Sequence, residues 1–344
     1  MTTADTLTTL GERETLRRIF PRLPRSRHEL LGPGDDAAVL AAPDGRYVVT
    51  TDMMIHGPDF RWGWSSPNDI GWKAAATNLS DVAAMGARPT ALLVAIAAPP
   101  DTPVVRLLGI ADGLRQSCEV LAPGCGVAGG DLSVSATFTV AVTAFGDLEG
   151  RQPVLRSGAR PGDIVAVAGP LGDAGRGLRL LFERALDQAG RPDTALAAAL
   201  RAEHTGLIEA QLRPSPPIAA GIAAAIAGAS AMLDISDGLA LDARRVAEAS
   251  GVIIDFDTVA LGEFPEAALA GGEDHGFLAC FAPDARLPTA FRPIGRVRAA
   301  PSASRSETGL WLDGQRYDTE SGWDPYRGWD GTSDASAHHS VVSP

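Results

Sequence analysis

The sequence predicts a protein of the α/β class that is built from two domains. A chain of 344 residues exceeds the roughly 250–300 residues at which a single hydrophobic core usually stops growing. Apolar runs typical of strands alternate with segments of helical periodicity in both halves of the chain. Residues 147–163, which are rich in Gly, Pro and Arg, separate the halves. We therefore expect an N-terminal domain over residues 1–148, a C-terminal domain over residues 149–327, and a polar, disordered tail over residues 328–344.

Two short apolar runs in the first half, residues 46–52 and residues 90–98, predict strands. A helix is expected between them, because Ser66, Pro67 and Asp69 form a typical helix start. Ser is a favoured capping residue, Pro fits the first helical turn, and a carboxylate is stabilised near a helix N-terminus. The first half thus begins with a strand, a helix and a second strand.

The predicted helix carries Lys73, Thr77 and Asp81 on one face, because these residues are spaced by four. Lys73 is the only lysine of the chain. A second helix is expected over residues 103–121, which contain an apolar stripe at helical spacing. Residues 133–145 alternate between apolar and hydroxyl side chains, and this period predicts a strand with one buried face.

The second half repeats the pattern of strand followed by helix. We expect a strand over residues 164–169, helices over 174–188, 218–228 and 239–249, and strands over 252–257, 276–281 and 293–298.

Composition narrows the class of function. The chain has 42 acidic and 30 basic residues, a net charge of −12, which argues against nucleic acid or an anionic membrane as the main partner. We expect no transmembrane segment, and because the N-terminal residues lack the pattern of a secretory signal, we expect a cytoplasmic protein. Cys118, Cys125 and Cys280 do not have metal-binding spacing and are expected to be reduced thiols.

The most informative feature is a set of short, small-residue-rich loops that carry aspartates. These loops are GDDAAV with Asp35 and Asp36, TTD with Thr50, Thr51 and Asp52, NLSD with Asp81, GGD with Asp131, and DISDG with Asp234 and Asp237. Two carboxylates 4 Å apart repel by about 4 kcal/mol at an effective dielectric constant near 20, so carboxylates that converge must hold protons or cations. Oxygen ligands without nearby His or Cys favour Mg²⁺ over zinc. Magnesium in turn suits a nucleotide substrate.

A series of motifs resembles the thiamine-monophosphate kinase family. The motifs are GPGDDAAVL, VVTTDMMIHGPDF, KAAATNLSDVAAMGARP, GGDLS, RSGARPGD, LDISDGLALD and GGEDHGFLACF, in this order over most of residues 32–281. Related families are aminoimidazole ribonucleotide synthetase, selenophosphate synthetase and a hydrogenase-maturation ATPase. The resemblance implies the two-domain architecture of aminoimidazole ribonucleotide synthetase. An N-terminal domain with a mixed sheet and helices would bind ATP and Mg²⁺ and mediate dimerisation, and it would precede a C-terminal α/β domain.

The resemblance also implies a reaction. The γ-phosphoryl group of ATP would pass directly and in line to thiamine monophosphate, with several Mg²⁺ ions, giving thiamine diphosphate and ADP. No covalent enzyme intermediate and no obligate acid or base residue is implied. The active site would lie in the cleft between the domains of a homodimer that forms through N-terminal strands.

The residues of the site follow from the same resemblance. The implied metal ligands are Asp36, Thr50, Thr51, Asp52, Asp81, Asp131, Asp234 and Asp237. The implied ATP contacts are Gly130, Asp131, Arg156 and Ser236. The implied substrate contacts are Asp59, Glu273 and Trp323.

Elementary chemistry agrees with several of these roles. The planar guanidinium of Arg156 can bind phosphate, and the ring of Trp323 can stack on a cationic thiazolium. Asp59 stands where the family usually has His, and His56 lies three residues earlier. Lys73 recurs in the family's helix, where a structural salt bridge and a phosphate contact explain it equally well.

Three other functions stay open at this point. The protein could be an ATP-dependent ligase similar to aminoimidazole ribonucleotide synthetase, a nucleotide-binding protein without catalysis, or a metal-dependent phosphatase. The full set of aspartates counts against a non-catalytic protein, because such a protein has no chemical need for clustered carboxylates.

Overall fold

A computed structural model describes residues 5–32, 38–301, 307–319 and 321–322 of the chain. The implied metal ligand Asp36, the implied substrate contact Trp323 and the expected tail over residues 328–344 lie outside the described residues. Within the described ranges, no helix is both long enough and apolar enough to cross a membrane.

The first half contains three helices and six strands among the described residues. In chain order they are α1 (Leu7–Ile19), β1 (Glu29–Leu31), β2 (Val39–Leu40), β3 (Val48–Ile55), α2 (Pro67–Ala84), β4 (Arg88–Ala98), α3 (Val104–Leu121), β5 (Gly126–Val134) and β6 (Thr139–Asp147).

The second half contributes the remaining helices and strands of the described ranges. They are β7 (Ile164–Ala168), α4 (Asp173–Arg184), α5 (Thr194–Glu203), α6 (Thr205–Leu212), α7 (Ile218–Ile226), β8 (Ala231–Ile235), α8 (Leu239–Ser250), β9 (Val252–Phe256), α9 (Pro265–Ala270), β10 (Gly276–Phe281), β11 (Arg292–Ala299), β12 (Gly309–Leu312) and β13 (Gln315–Arg316).

Helix α2 is the element that positions the site. It begins with a capping box, in which the Ser66 hydroxyl accepts a hydrogen bond from the Asp69 N–H and the Asp69 carboxylate accepts one from the Ser66 N–H. Its neighbours are α3, α7 and strands of two different sheets, so nearly all of its side chains are buried. Gly71 allows a close approach to α3, because a Cβ atom there would lie 2.0 Å from the Ile110 carbonyl oxygen.

A four-stranded sheet with the order β3-β6-β4-β5 lies against α2. Strands β4 and β5 are parallel, and the other neighbours are antiparallel. Side chains such as Leu92 and Val142 point toward the helices and are buried, and each contributes about 1.5–3 kcal/mol of hydrophobic stabilisation. The opposite face, which we call the outward face, carries Val49 and Met53, whose exposed fractions are 54% and 58%.

A seven-stranded sheet has the order β13-β12-β9-β11-β7-β10-β8 and is antiparallel except for the pair β12 and β9. Alternate residues of its central strands pack in two directions. Val167 and Leu278 face a core formed with α8, whereas Ala168 and Phe277 join the core that includes α2 and α7. Helix α2 therefore lies between the two sheets and connects their hydrophobic cores.

Most of the expected elements are present, but the strand expected over residues 133–145 is wrong. That segment contains the end of β5, a turn and the start of β6. In the turn, the Ser135 N–H donates to the Ala98 carbonyl at 3.0 Å and the Ser135 hydroxyl accepts from the Thr137 N–H at 3.2 Å. The alternation of side chains continues through the turn because Ser and Thr occur readily in both strands and turns.

Several elements were not predicted from the sequence, namely helices α1, α5, α6 and α9 and strands β1, β2, β5, β8, β12 and β13. The change from one sheet to the other falls between the end of β6 and the start of β7, within the segment expected to separate the domains. The domain limits themselves stay a prediction.

Candidate functional site

Asp52, Asp81 and Asp234 were expected in loops, but they lie within β3, α2 and β8, and these three elements meet at one turn of α2. The Thr50 hydroxyl donates to Asp81 Oδ2 at 2.9 Å, and the Asp52 N–H donates to Asn78 Oδ1 at 3.1 Å. The Ser80 hydroxyl donates to Asp234 Oδ2 at 3.2 Å. Three elements from distant parts of the chain are thus connected through one turn of α2. We call Asp52, Asp81 and Asp234 the acidic cluster.

The carboxylates of the acidic cluster disfavour one another's charge. Burial, assisted by the charges of Asp234 and Asp52, raises the pKa of Asp81 to about 8. The pKa of Asp52 is raised by burial and by the charge of Asp234. Within the described ranges, no group of three or more Asp, Glu, His or Cys side chains has the geometry of a metal site. A cation would neutralise the cluster and would need water or phosphate oxygens as additional ligands.

His275 was not given a role by the sequence analysis, yet it contacts the acidic cluster. Its imidazole Nδ1 lies 3.3 Å from Asp234 Oδ2. Its backbone N–H donates to the Ile235 carbonyl at 2.9 Å. Burial lowers the pKa of His275, but the hydrogen bond and the charge of Asp234 outweigh burial and raise it. The backbone φ of His275 is 52°, an uncommon value for a residue with a side chain. The imidazole therefore contacts the Asp234 carboxylate oxygen that also accepts from Ser80.

The loop after β8 carries Ser236 and Asp237, both predicted at the site. Their N–H groups donate to Asp242 Oδ2 at 3.1 and 3.2 Å. The Asp237 carboxylate lies 2.6 Å from a guanidinium nitrogen of Arg245. Burial and the charge of Asp234 raise the pKa of Asp242 to about 7. The sequence analysis missed Asp242 as a loop-ordering residue, although a carboxylate in the first turn of a helix after a glycine loop is a recognisable signal.

The loop before β10 carries Glu273, a predicted substrate contact. Gly272 lies close to the loop after β8, because a Cβ atom at Gly272 would lie 2.6 Å from the Ser236 carbonyl oxygen. Glu273 has a φ of 71° and donates its N–H to the same carbonyl at 2.7 Å. Its Oε2 forms a salt bridge with Lys73 Nζ. Burial raises the pKa of Glu273, but the charges of Lys73 and His275 and the hydrogen bond from Lys73 act together against burial, and the pKa is lowered overall.

Gln211 of α6 completes this arrangement. With the amide oriented to satisfy both of its ends, Oε1 accepts from Lys73 Nζ at 3.1 Å and Nε2 donates to the Ala174 carbonyl at 3.0 Å. The sequence analysis gave Gln211 no role and did not predict the helix that carries it. Lys73 thus contacts two elements of the second half of the chain.

Asp274 follows Glu273 and was also missed. Its carboxylate accepts hydrogen bonds from the Gly172 and Ala174 N–H groups at 2.5 and 2.9 Å. Burial nevertheless raises the pKa of Asp274 to about 6. Asp274 therefore satisfies the N-terminus of α4 and fixes the loop that presents Glu273.

Asp59, the other predicted substrate contact among the described residues, lies in the loop after β3. Its Oδ2 accepts from the Ile55 N–H at 2.7 Å. Burial raises its pKa, and so does the charge of Glu273, whereas the charge of Lys73 lowers it. Asp59, Glu273 and Lys73 thus interact electrostatically beside the acidic cluster.

Other predicted residues lie away from the acidic cluster. The Thr51 hydroxyl donates to the Val142 carbonyl at 3.0 Å on the outward face. Asp131 is exposed and pairs in register with Ala95 of β4. Ala95 and Met53 both pair with the same residue of β6, so Asp131 lies on the outward face with Met53. Because β5 is three strands from β3, about 14 Å separates these strands.

Two predicted ATP contacts have structural explanations of their own. A Cβ atom on Gly130 would lie 1.9 Å from the Val94 carbonyl oxygen, so the packing of β5 on β4 requires glycine there. Arg156 is exposed, and its carbonyl accepts from the Ser250 hydroxyl at 3.0 Å. Ser250 ends α8, whereas Ser236 precedes the start of that helix, which is about 18 Å long. Within one chain, Arg156 and Ser236 lie at opposite ends of α8.

Known proteins resemble this chain along most of its length. Residues 34–148 match the model of the AIR synthase related protein N-terminal domain. The thiamine-monophosphate kinase of Mycobacterium tuberculosis is 40% identical over 94% of this chain and 94% of its own length. That of Corynebacterium glutamicum is 39% identical over 91% of this chain and 93% of its own length.

Solved structures agree with these sequence matches. Thiamine-monophosphate kinase from Stenotrophomonas maltophilia superimposes with a TM-score of 0.72 at 30% identity, over 89% of this chain and 98% of that one. AaThiL complexed with AMPPCP and TMP gives a TM-score of 0.69 at 30% identity, over 94% and 99%. The hydrogenase maturation protein HypE, at 18% identity and a TM-score of 0.61 over 87% and 88%, shares the fold. The long matches at about 40% identity and the shared fold lead to one conclusion: the chain belongs to the thiamine-monophosphate kinase family.

Proposed function

We propose that this protein transfers the γ-phosphoryl group of ATP to thiamine monophosphate and forms thiamine diphosphate and ADP. The observation that carries the proposal is the acidic cluster, where Asp52, Asp81 and Asp234 gather at one turn of α2. Family membership supports the assignment, and so does the complex of the related AaThiL with AMPPCP and TMP. We expect the protein to act in the cytoplasm.

Magnesium ions fit the chemistry of the acidic cluster. The available donors are carboxylate and hydroxyl oxygens, and the raised pKa of Asp81 indicates that the cluster cannot be fully ionised without a cation. Asp52, Asp81 and Asp234 would hold the ions, with Thr50 beside Asp81. The other implied ligands are Asp36, Thr51, Asp131 and Asp237. Bound magnesium would neutralise the charge that develops on the transferring phosphoryl group.

The side chains of the protein mainly orient the reactants. The acceptor is a monophosphate, which is largely a dianion at pH 7 because its second pKa is about 6, so it needs no general base. Ser80 and His275 hold the Asp234 carboxylate, and Thr50 holds that of Asp81. This fixed arrangement favours direct, in-line transfer without a phosphorylated enzyme. Asp59, Glu273 and Trp323 would bind the thiamine part of the acceptor.

The nucleotide would extend from the acidic cluster toward Ser236, with Gly130, Asp131 and Arg156 as further contacts. We propose that the protein is a homodimer formed through the outward face of the four-stranded sheet. Exposed Val49 and Met53 support this, because large apolar side chains on an uncovered sheet face are typical of interfaces. In such a dimer, Asp131 would lie at the interface.

A product assay tests the proposal. Purified protein is incubated with ATP, Mg²⁺ and thiamine monophosphate, and thiamine diphosphate is measured by chromatography. We expect product with the wild type and with the control variant Asp112→Asn. Asp112 lies on α3 and pairs with Arg22. We expect Asp81→Asn to abolish product formation.

Other outcomes of the assay would contradict the proposal in identifiable ways. Consumption of ATP without thiamine diphosphate would favour a ligase related to aminoimidazole ribonucleotide synthetase. Release of phosphate from thiamine monophosphate without nucleotide would favour a phosphatase. Binding of ATP without formation of ADP would favour a non-catalytic nucleotide-binding protein.

A further inference from the structure

The salt bridge between Lys73 and Glu273 is unusual for its position. Lys73 is the only lysine of the chain, and its side chain is 8% exposed. Its ammonium group contacts Glu273 Oε2 and Gln211 Oε1. An ammonium group has three N–H donors, and these contacts use two of them. The Glu273 side chain is 37% exposed, so a ligand can approach the pair from the side of Glu273.

The charges around this pair are mostly negative. Asp59 interacts with both members of the pair, and Asp52 with Glu273. His275 also faces the pair, and its charge depends on its contact with Asp234. Along α2, Lys73 precedes Asp81 by two helical turns, about 12 Å. Lys73 is thus a cationic side chain that interacts with Asp59 and Glu273 near the acidic cluster.

We propose that the Lys73–Glu273 pair recognises an acceptor that carries both a cation and a phosphate, and that each member of the pair exchanges its partner on binding. Glu273 would pair with the cationic ring of the acceptor, and Lys73 would pair with its phosphate. This inference rests on the proposed function, because thiamine monophosphate carries both charges.

The physical basis is the cost of an unpaired buried charge. A buried ion pair is strongly destabilised when one partner is removed, because the other charge stays without compensation. A ligand with both charges replaces both partners. A ligand with only the cation would engage Glu273 and leave the Lys73 ammonium buried without a carboxylate. The pair therefore discriminates in favour of the phosphorylated acceptor.

A purely structural role for Lys73 leads to a different expectation. If Lys73 only holds Glu273 in place, its removal weakens every ligand that uses Glu273 by the same factor. The two roles therefore differ in the ratio of two affinities and not in one affinity alone.

Calorimetric titration without ATP measures this ratio with thiamine monophosphate and thiamine as ligands. We expect the wild type to prefer thiamine monophosphate by on the order of 100-fold. In Lys73→Gln, we expect affinity for thiamine monophosphate to fall by about that factor, while affinity for thiamine stays equal or increases. In Glu273→Gln, affinity for both ligands should fall. Lys73→Arg, which keeps the charge, should retain a preference for the phosphorylated ligand.

Arg201→Gln is the matched control, because it removes a cation that pairs with Asp69 at the start of the same helix. It should lower the melting temperature and leave the ratio unchanged. AMPPCP binding and the melting temperature of each variant establish that it is folded. If Lys73→Gln does not fold, the ratio measured for Lys73→Arg and Glu273→Gln decides.

Two results would overturn the proposal. The first is an equal loss of affinity for both ligands in Lys73→Gln, and the second is a wild-type ratio near one. If the wild type binds neither ligand while it binds AMPPCP, the proposed function fails, and this inference fails with it.

Discussion

The two faces of the four-stranded sheet use polar residues differently. On the face that packs against α2, Thr50 and the residues of the acidic cluster are hydrogen-bonded within one chain. On the outward face, Asp131 is exposed and shares the face with apolar side chains such as Met53, three strands away. Neighbouring residues of β3 therefore serve different purposes. Folding alone arranges the inner groups, whereas the outer groups would become part of a site only with a ligand or a second chain.

The largest effect should come from the inner face. Asp81→Asn removes a carboxylate from the proposed magnesium site, and we expect the rate of thiamine diphosphate formation to fall by on the order of 1000-fold. Burial already favours the neutral form of Asp81, whose pKa is about 8, so the stability of the metal-free protein should change little. Product assays and thermal melting without magnesium measure both. A large loss of stability would show that Asp81 acts mainly through folding.

The oligomeric state of the protein tests the proposed interface on the outward face. Met53→Asp places a charge on an exposed apolar surface, and a symmetric interface would contain it twice. We expect the dissociation constant of the dimer to be about 100-fold higher in this variant than in the wild type. Light scattering over a range of protein concentrations measures it. Thr137→Asp, in the exposed turn between β5 and β6, is the matched control. An unchanged oligomeric state in Met53→Asp would place any interface elsewhere.

Adjacent threonines compare the two faces directly. Thr50→Val removes the hydrogen bond to Asp81, and we expect magnesium affinity to fall by about tenfold, as is common when the partner of a metal ligand is lost. Thr51→Val removes the bond to the Val142 carbonyl on the outward face and should change magnesium affinity less. Titration of magnesium in the product assay measures both variants. Equal effects would mean that both faces of β3 contribute to the metal site.

The smallest effect on catalysis should come from the start of α2. Asp69 is 2% exposed and pairs with Arg201, so Asp69→Asn should lower the free energy of unfolding by about 3 kcal/mol at pH 7. Burial raises the pKa of Asp69, but its hydrogen bonds to Arg201 and Ser66 outweigh burial and lower it. The stabilisation is therefore complete above about pH 4 and lost as the pH falls below that value. Urea unfolding at pH 7 and at pH 3 measures the difference between wild type and variant, and an equal difference at both pH values would contradict this reading.

Local signals made part of the molecule predictable. The start of α2 could be predicted from Ser66, Pro67 and Asp69, because capping depends on neighbours in sequence. The turn after β5 could not, because its Ser and Thr residues continue the alternation of a strand. The sequence also contained no sign of which N–H groups Asp274 would satisfy, since these belong to a loop about 100 residues earlier.

The site was predictable to a similar extent. Motifs indicated Asp52, Asp81 and Asp234, and the fold brings them to one turn of α2. Gln211 carried no motif, and its role depends on how α6 packs beside α2. The implied roles of Asp36 and Trp323 stay predictions.

The single lysine has a practical consequence. Because Lys73 is the only residue of its type and pairs with Glu273, lysine labelled with nitrogen-15 would place one side-chain spectroscopic probe in the whole protein, at the proposed acceptor site. Its ammonium resonance would report directly whether the group is bound to a carboxylate or to a phosphate. Amine-specific reagents would likewise have one side chain to modify, and protection of that side chain by a ligand would measure occupancy of the proposed acceptor site without any turnover.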